Sequence, residues 1–181
     1  MKLLVTSKPG ATKAQITYQT AAKDIIRIDC ALGKNGLCDE NQKKTEGDGR
    51  TPIGVYALRR LWYRPDRIDL PKCALAHRPI DQTIGWSDDP QDPAYNKMVA
   101  LPHPYHHETL WRDDPLYDVI IEIGYNDIDP IPGLGSAIFL HIEKNNYQPT
   151  LGCVAIARQD MLTLIPHLTP SSEIEIRLTT G

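Results

Sequence analysis

A chain of 181 residues is long enough for one domain whose core needs neither disulfides nor structural zinc. Its apolar fraction of 41% and charged fraction of 24% are those of an ordinary globular protein, which excludes a disordered or fibrous chain. A formal charge of −3 without any Lys/Arg cluster lacks the footprint of a nucleic-acid binder, so nucleic acid is not an expected partner.

The first residues, "MKLLVTSKPGATKAQ", hold three strongly apolar side chains, Leu3 to Val5, before polar residues and Pro9. A secretory signal needs an apolar stretch of roughly 7–15 residues. No apolar run approaches the roughly 18 residues of a membrane span either. The expectation is a cytoplasmic protein with no membrane partner, or a periplasmic one if an export signal is missing from this chain. Cys30, Cys38, Cys73 and Cys153 are dispersed with no C-x-x-C pair. In a reducing cytosol they are expected as thiols, the first three as small apolar side chains.

Period-2 patterns dominate the chain. "KLLVT" and "DIIRIDCAL" read as strands, and "LGKNGL" carries an Asn-Gly turn signal that predicts an early hairpin continuing the second of them. "GVYALRRLWY", "YDVIIEI", "AIFLHIE" and "EIEIRL" follow as strands. In the last, Ile174, Ile176 and Leu178 point one way, and Glu175 and Arg177 the other. One helix is predicted in "RQDMLTLIPHL", where Met161, Leu164, Ile165 and Leu168 recur at helical spacing and Asp160 sits in the first turn. Pro166 should end or kink it. From Pro65 to Pro115 periodicity is weak and proline, aspartate, histidine and tryptophan are dense, which predicts irregular structure packed around a site. With no repeats or linkers, residues 1–181 read as a single, mostly β domain.

In "AIFLHIE" alternation puts Ile138, Leu140 and Ile142 on one face and Phe139, His141 and Glu143 on the other. Cys153 follows Gly152, where the backbone can turn sharply enough to aim N–H groups at a reacting carbonyl. A cysteine nucleophile acts as thiolate and needs a base, and histidine is the usual one. By pattern alone, His141 and Cys153 are either that pair or a buried imidazole and a buried thiol.

The same residues carry a resemblance. His141 followed by Thr150-Leu151-Gly152-Cys153 resembles the signature of the L,D-transpeptidase catalytic domain (YkuD-like), a strand histidine before Ser/Thr-x-Gly-Cys. Thr51-Pro52-Ile53-Gly54-Val55-Tyr56 resembles the family's Thr-Pro-x-Gly-x-Tyr/Phe element, and the run into Gly-Cys-Val-Ala resembles one of its subgroups. The resemblance extends from Lys44 to Leu168. It implies a mixed β-sandwich with one or two helices, Cys153 as nucleophile, His141 as base, and an oxyanion hole from the backbone of Gly152 and Cys153. Two positions depart from it: Leu151 stands where many members have a second histidine, and Ala155 where many have Arg or Asn.

The chemistry so implied is acyl transfer on a peptidoglycan tetrapeptide stem through a thioester at Cys153, with release of the terminal D-Ala and no cofactor or metal. Water as acceptor makes an L,D-carboxypeptidase that trims muropeptides in murein recycling, the first expectation given the missing leader. An amine acceptor makes an L,D-transpeptidase that forms 3-3 cross-links or exchanges D-amino acids. A muropeptide-binding module without catalysis is a third reading, given the two departures. Thr150, Trp111, Arg112, Tyr125 and Asn126 are the candidate substrate contacts: indole offers a flat wall, guanidinium grips a carboxylate, and the last two end "IIEIGYN". His103, His106 and His107 in "LPHPYHHETLWRDD" have no helical spacing to fix a zinc site and read as cleft-wall or surface residues.

Overall fold

The computed structural model describes residues 1–38 and 43–179. The predicted strands form: β1 (Lys2–Ser7), β3 (Ile25–Ala31), β4 (Gly54–Tyr63), β9 (Val119–Ile123), β10 (Phe139–Ile142) and β12 (Glu173–Leu178). Between them stand β2 (Lys13–Gln19), β5 (His77–Pro79), β6 (Ile84–Ser87), β7 (Met98–Ala100), β8 (His107–Thr109) and β11 (Val154–Ile156). Alternation does what it predicts on β12, where Ile174 and Ile176 are fully buried and Glu175 faces out to bind Lys2.

The large sheet runs β12-β1-β2-β3-β11-β10-β9-β4-β5, and β12 also pairs with β4. That extra pairing closes eight strands into a ring, so the two layers of the expected sandwich are one continuous closed sheet with β5 appended. The sheet is mixed: β1–β12, β10–β11 and β4–β5 are parallel, the other pairings antiparallel. Closure depends on β4, which serves two neighbours along its length. Its residues 54–57 pair with β12 and its residues 58–63 with β9, and the register slips between Leu58 and Leu61. Such a bulge bends a strand and increases its twist, which lets one strand turn the corner of a ring.

The ring interior holds the main core, including Leu3, Val5, Ile16, Leu58, Ile121, Leu140, Val154, Ile174 and Ile176. The single α-helix among the described residues, α1 (Arg158–Leu164), adds Met161 and Leu164 to it. Pro166 ends α1 as expected, and the chain tightens into a 3₁₀ turn at Ile165–His167.

Two expectations are corrected. Asn35-Gly36 does form a turn, with the Gly36 N–H on the Gly33 carbonyl, but among the described residues no hairpin strand follows it. Gly33 and Leu37 instead form parallel bridges to Thr150 and Thr51, and the antiparallel partner that precedes β3 is β2, whose polar run "KAQITYQ" buries only Ile16 and Tyr18 well. The stretch 65–115 is not wholly irregular either: it contains a second sheet, β7-β6-β8. Strands of three or four residues are too short for alternation to register. Their ends are set by aspartates, as where Asp81 accepts the Thr83 N–H and Asp92 the Ala94 N–H. The small sheet lays Trp86 edge-on against Phe139, with ring centroids 5.1 Å apart. Those rings join Trp62, Ile80, Leu110, Tyr117, Ile120 and Cys153 in a second apolar cluster outside the ring.

Candidate active site

His141 and Cys153 come together because β10 and β11 are adjacent and parallel, with His141 in register with Ala155. Parallel crossovers usually take a dozen or more residues. Here the chain returns over residues 143–153 only, through Asn145, Asn146 and Tyr147 in succession at φ 37°, 58° and 60°. Asparagine tolerates the left-handed region, and the Tyr147 N–H is held by Glu143 at 2.8 Å. The Gly152 φ of +146° gives the second sharp turn, and a Cβ there would lie 3.1 Å from the Arg50 carbonyl oxygen.

His141 and Cys153 open on the same cavity, of about 630 Å³. The His141 Nδ1 lies 2.8 Å from the Ile142 carbonyl oxygen. A carbonyl only accepts, so Nδ1 carries the proton and Nε2 keeps the lone pair that a general base uses. Tyr117 meets the imidazole edge-on at 5.4 Å and fixes its plane. The Cys153 Sγ accepts from the Phe139 N–H at 3.3 Å and donates to the Ala137 carbonyl at 3.2 Å.

Both side chains are buried, and burial sets their charge. It pushes the Cys153 thiol up to about 12, aided by the negative charge of Glu108 and opposed by the Phe139 N–H and Lys44. It pulls His141 down to about 4, with the Ile142 carbonyl opposing. The resting pair is therefore a neutral thiol and a neutral imidazole, not the thiolate that the pairing of Cys and His suggested. Ala155, the residue in register with His141, offers the imidazole no polar partner.

This has a measurable consequence. Between pH 6.5 and 4 an unfolded chain protonates residue 141 while the folded one does not, so the unfolded state binds more protons and stability falls on acidification. A downward shift from 6.5 to about 4 corresponds to about 3 kcal/mol lost across that window. Glu108, held above the usual carboxylate range by burial, titrates with the opposite sign. It is present in wild type and in His141→Gln alike, so the difference between their urea-derived stability–pH curves isolates the histidine. Parallel curves would contradict its buried, neutral state.

The walls carry charge in pairs. Buried Lys44 binds Asp48 at 2.6 Å. Arg112 grips Asp114 through Nε at 2.9 Å and Nη2 at 2.7 Å. Asp88 meets the His106 Nδ1 at 2.5 Å. The Tyr117 hydroxyl donates to Glu108 Oε1 at 2.5 Å. The Glu46 Oε2 accepts from the Tyr95 hydroxyl and from Ser136 Oγ, the latter at 2.7 Å.

Of the expected substrate contacts, Thr150 and Arg112 line this cavity, and Trp111, Tyr125 and Asn126 do not. Thr150 also braces the cysteine turn, donating from Oγ1 to the Cys153 carbonyl at 2.7 Å and accepting the Gly152 N–H at 3.1 Å. The Gly152 donor of the expected oxyanion hole is thus engaged by a hydroxyl. Trp111 lies under the Arg64 guanidinium, 3.5 Å from its ring centre. Tyr125 donates to the Leu134 carbonyl at 2.6 Å and lines a smaller cavity with Arg59, Arg60 and Phe139. Asn126 ties residues 126–135 into a loop through Ile131 and Gly135. Leu151, one of the departures, is 76% exposed at the cavity mouth. His106 and His107 line the cavity, while His103 is tied to buried Asp92. Among the described residues, no group of three His, Cys, Asp or Glu is placed to hold a metal ion, and no helix is long and apolar enough to cross a membrane.

Two supporting residues escaped sequence reasoning. The fully buried Thr51, in the Thr-Pro-x-Gly element, accepts the Gly33 N–H at 2.9 Å and donates to the Cys153 carbonyl at 3.4 Å. The motif is therefore a clamp behind the nucleophile turn. Asn96 accepts from the Trp86 Nε1 and the Ala137 N–H, and donates to the carbonyls of Tyr125 and Asn126. That holds Ala137, whose carbonyl touches Sγ, at a left-handed φ of 51°. No sequence pattern marks Asn96, because its partners lie up to 41 residues away.

A search of curated proteins and one of solved structures returned no match. A family model, that of the YkuD L,D-transpeptidase catalytic domain, matches residues 6–176. The match begins in β1 and ends in β12, so it takes in every strand of the closed ring, and the chain belongs to the YkuD family of L,D-transpeptidase catalytic domains.

Proposed function

We propose that the protein is an L,D-carboxypeptidase that trims peptidoglycan tetrapeptide stems to tripeptides, with Cys153 as nucleophile and His141 as base. Family membership makes it a cysteine acyl transferase of L,D-transpeptidase type acting on peptidoglycan. The observation that carries the assignment to these residues is that a bare imidazole Nε2 and a thiol open on one cavity. Because both groups rest uncharged, the His141 Nε2 takes the thiol proton as Sγ attacks the carbonyl of the third stem residue. The imidazolium then gives that proton to the departing D-Ala amine, the C–N bond breaks, and a thioester remains. In the second half, His141 takes a proton from water, whose oxygen attacks the thioester, and the proton returns to sulfur. The N–H groups of Gly152 and Cys153 are our choice for the oxyanion hole, with the Thr150 hydroxyl yielding the Gly152 donor when the carbonyl arrives.

Support for water as acceptor comes from size. Cavities of roughly 300–1,000 Å³ enclose a single small ligand, and about 630 Å³ suits one peptide stem, leaving water as the acceptor that needs no further cleft. Free muropeptide is then the substrate, and murein recycling the process served. Mass analysis of a disaccharide-tetrapeptide incubated with the enzyme tests this, with disaccharide-tripeptide and free D-Ala as expected products. A cross-linked dimer or a D-amino-acid adduct without hydrolysis would replace this reading with transpeptidation or exchange. Binding without turnover would replace it with a silent binding module.

A further inference from the structure

Among the described residues, Lys44 is the buried cation of the cavity wall, and the reaction assigned above gives it no part. Its place is fixed from several sides. The ammonium binds Asp48 Oδ1 at 2.6 Å and donates to the Thr45 carbonyl at 3.0 Å. Asp48 in turn accepts the Thr45 and Arg50 N–H groups, at 3.0 and 2.9 Å. The same segment is fastened to both stretches of chain that flank the sulfur. Glu46 ties it to Ser136 Oγ at 2.7 Å, and Thr51 reaches the Cys153 carbonyl at 3.4 Å. Gly135 completes the seat: a Cβ there would lie 3.1 Å from Lys44 Nζ. Glycine thus lets the ammonium pack on backbone two residues from Ala137, whose carbonyl accepts from Sγ.

The other charges of the wall are engaged elsewhere. Arg112 is gripped by Asp114, and its charge joins burial in disfavouring a protonated His141. Glu46 serves Tyr95 and Ser136, Asp88 the His106 ring, and Lys144 is exposed. Beyond burial, two charges reach the sulfur: Glu108 disfavours the thiolate and Lys44 favours it. Ala155, two residues past the cysteine, brings no charge to the cavity.

We propose that Lys44 is a positioning residue for the attack: its ammonium, held by Asp48 against the Gly135 backbone, stabilises the negative charge that gathers on Sγ as His141 takes the thiol proton. This rests on Cys153 and His141 as nucleophile and base, and not on the choice of acceptor. In a neutral resting pair that charge exists only during attack, where a fixed cation lowers the barrier without stabilising the ground state. Lys44 acts on the sulfur, whereas Arg112 acts on the imidazole. Lys44 therefore favours the proton transfer without opposing the imidazolium.

The test needs no stem. Iodoacetamide is uncharged and reacts with the thiolate, and peptide masses after digestion follow Cys153 apart from Cys73 and the other thiols. Two variants remove the charge: Lys44→Met, and Lys44→Met with Asp48→Asn, which leaves no carboxylate unpaired. In both, alkylation of Cys153 near pH 7 is expected to slow about 10-fold, the order of one charge lost at close range. Lys44→Arg should stay within about threefold of wild type, because it keeps the charge and can still grip Asp48. D-Ala release from a tetrapeptide stem in a single turnover should slow by the same factor as alkylation. Unchanged alkylation in either charge-removing variant, shown folded by its thermal transition, overturns the proposal. So does equal slowing in Lys44→Arg, which would make the effect one of packing. Slowed alkylation with no D-Ala release by wild type would instead overturn the carboxypeptidase reading and leave the action of Lys44 on the thiol standing.

Discussion

Cys153→Ala is expected to lose D-Ala release and thioester formation together, by on the order of 10⁴-fold or more, while the protein stays folded. Deleting a covalent nucleophile removes the two-step route outright, and residual binding and oxyanion donors recover only a small part of the rate. The structural cost is modest. Cys153 is buried in the second apolar cluster, and alanine removes one sulfur and leaves the Phe139 N–H without its acceptor. Together these cost about 1–3 kcal/mol. Intact-mass detection of the acyl-enzyme, D-Ala release and a thermal melt on the same samples separate the two effects. Turnover retained in a folded alanine variant would remove Cys153 from the mechanism.

The largest stability effect is expected at Asn96, far in sequence from either candidate catalytic residue. Its amide makes four hydrogen bonds, to Trp86, Ala137, Tyr125 and Asn126, and the residue is buried. Asn96→Ala strips partners from two donors and two carbonyls, each costing about 1–3 kcal/mol if left dry. It also puts alanine at a φ of 56°, which asparagine tolerates better. Partial rehydration reduces the sum, and the expected loss is about 3–5 kcal/mol in urea unfolding. Acylation should slow as well, because Asn96 holds Ala137 against Sγ. A loss below about 1 kcal/mol would mean that water replaces the amide in this network.

Glu108 shows why the site was only partly legible in the chain. In the chain it is one acid beside several histidines, in a stretch without periodicity. Its proximity to the thiol arises because β8 pairs with β6 and the small sheet packs on Phe139 and Tyr117. Tyr125 and Asn126 erred the other way: they follow a predicted strand in a motif-like run, yet their side chains are spent on loop carbonyls. Local spacing cannot tell a hydrogen bond to substrate from one to the protein's own backbone.

The residues alone determined the strands whose alternation reports one buried face, the helix and its end at Pro166, and the pairing of a strand histidine with a Gly-Cys turn. These are properties of neighbours in the chain, set by backbone period and turn chemistry. Tertiary structure decided the rest: closure of the ring through β12 and β4, the clamp of Thr51 on the cysteine turn, and the neutral charge of both His141 and Cys153. Each depends on contacts between segments far apart in sequence and on burial, which exists only once those segments have packed.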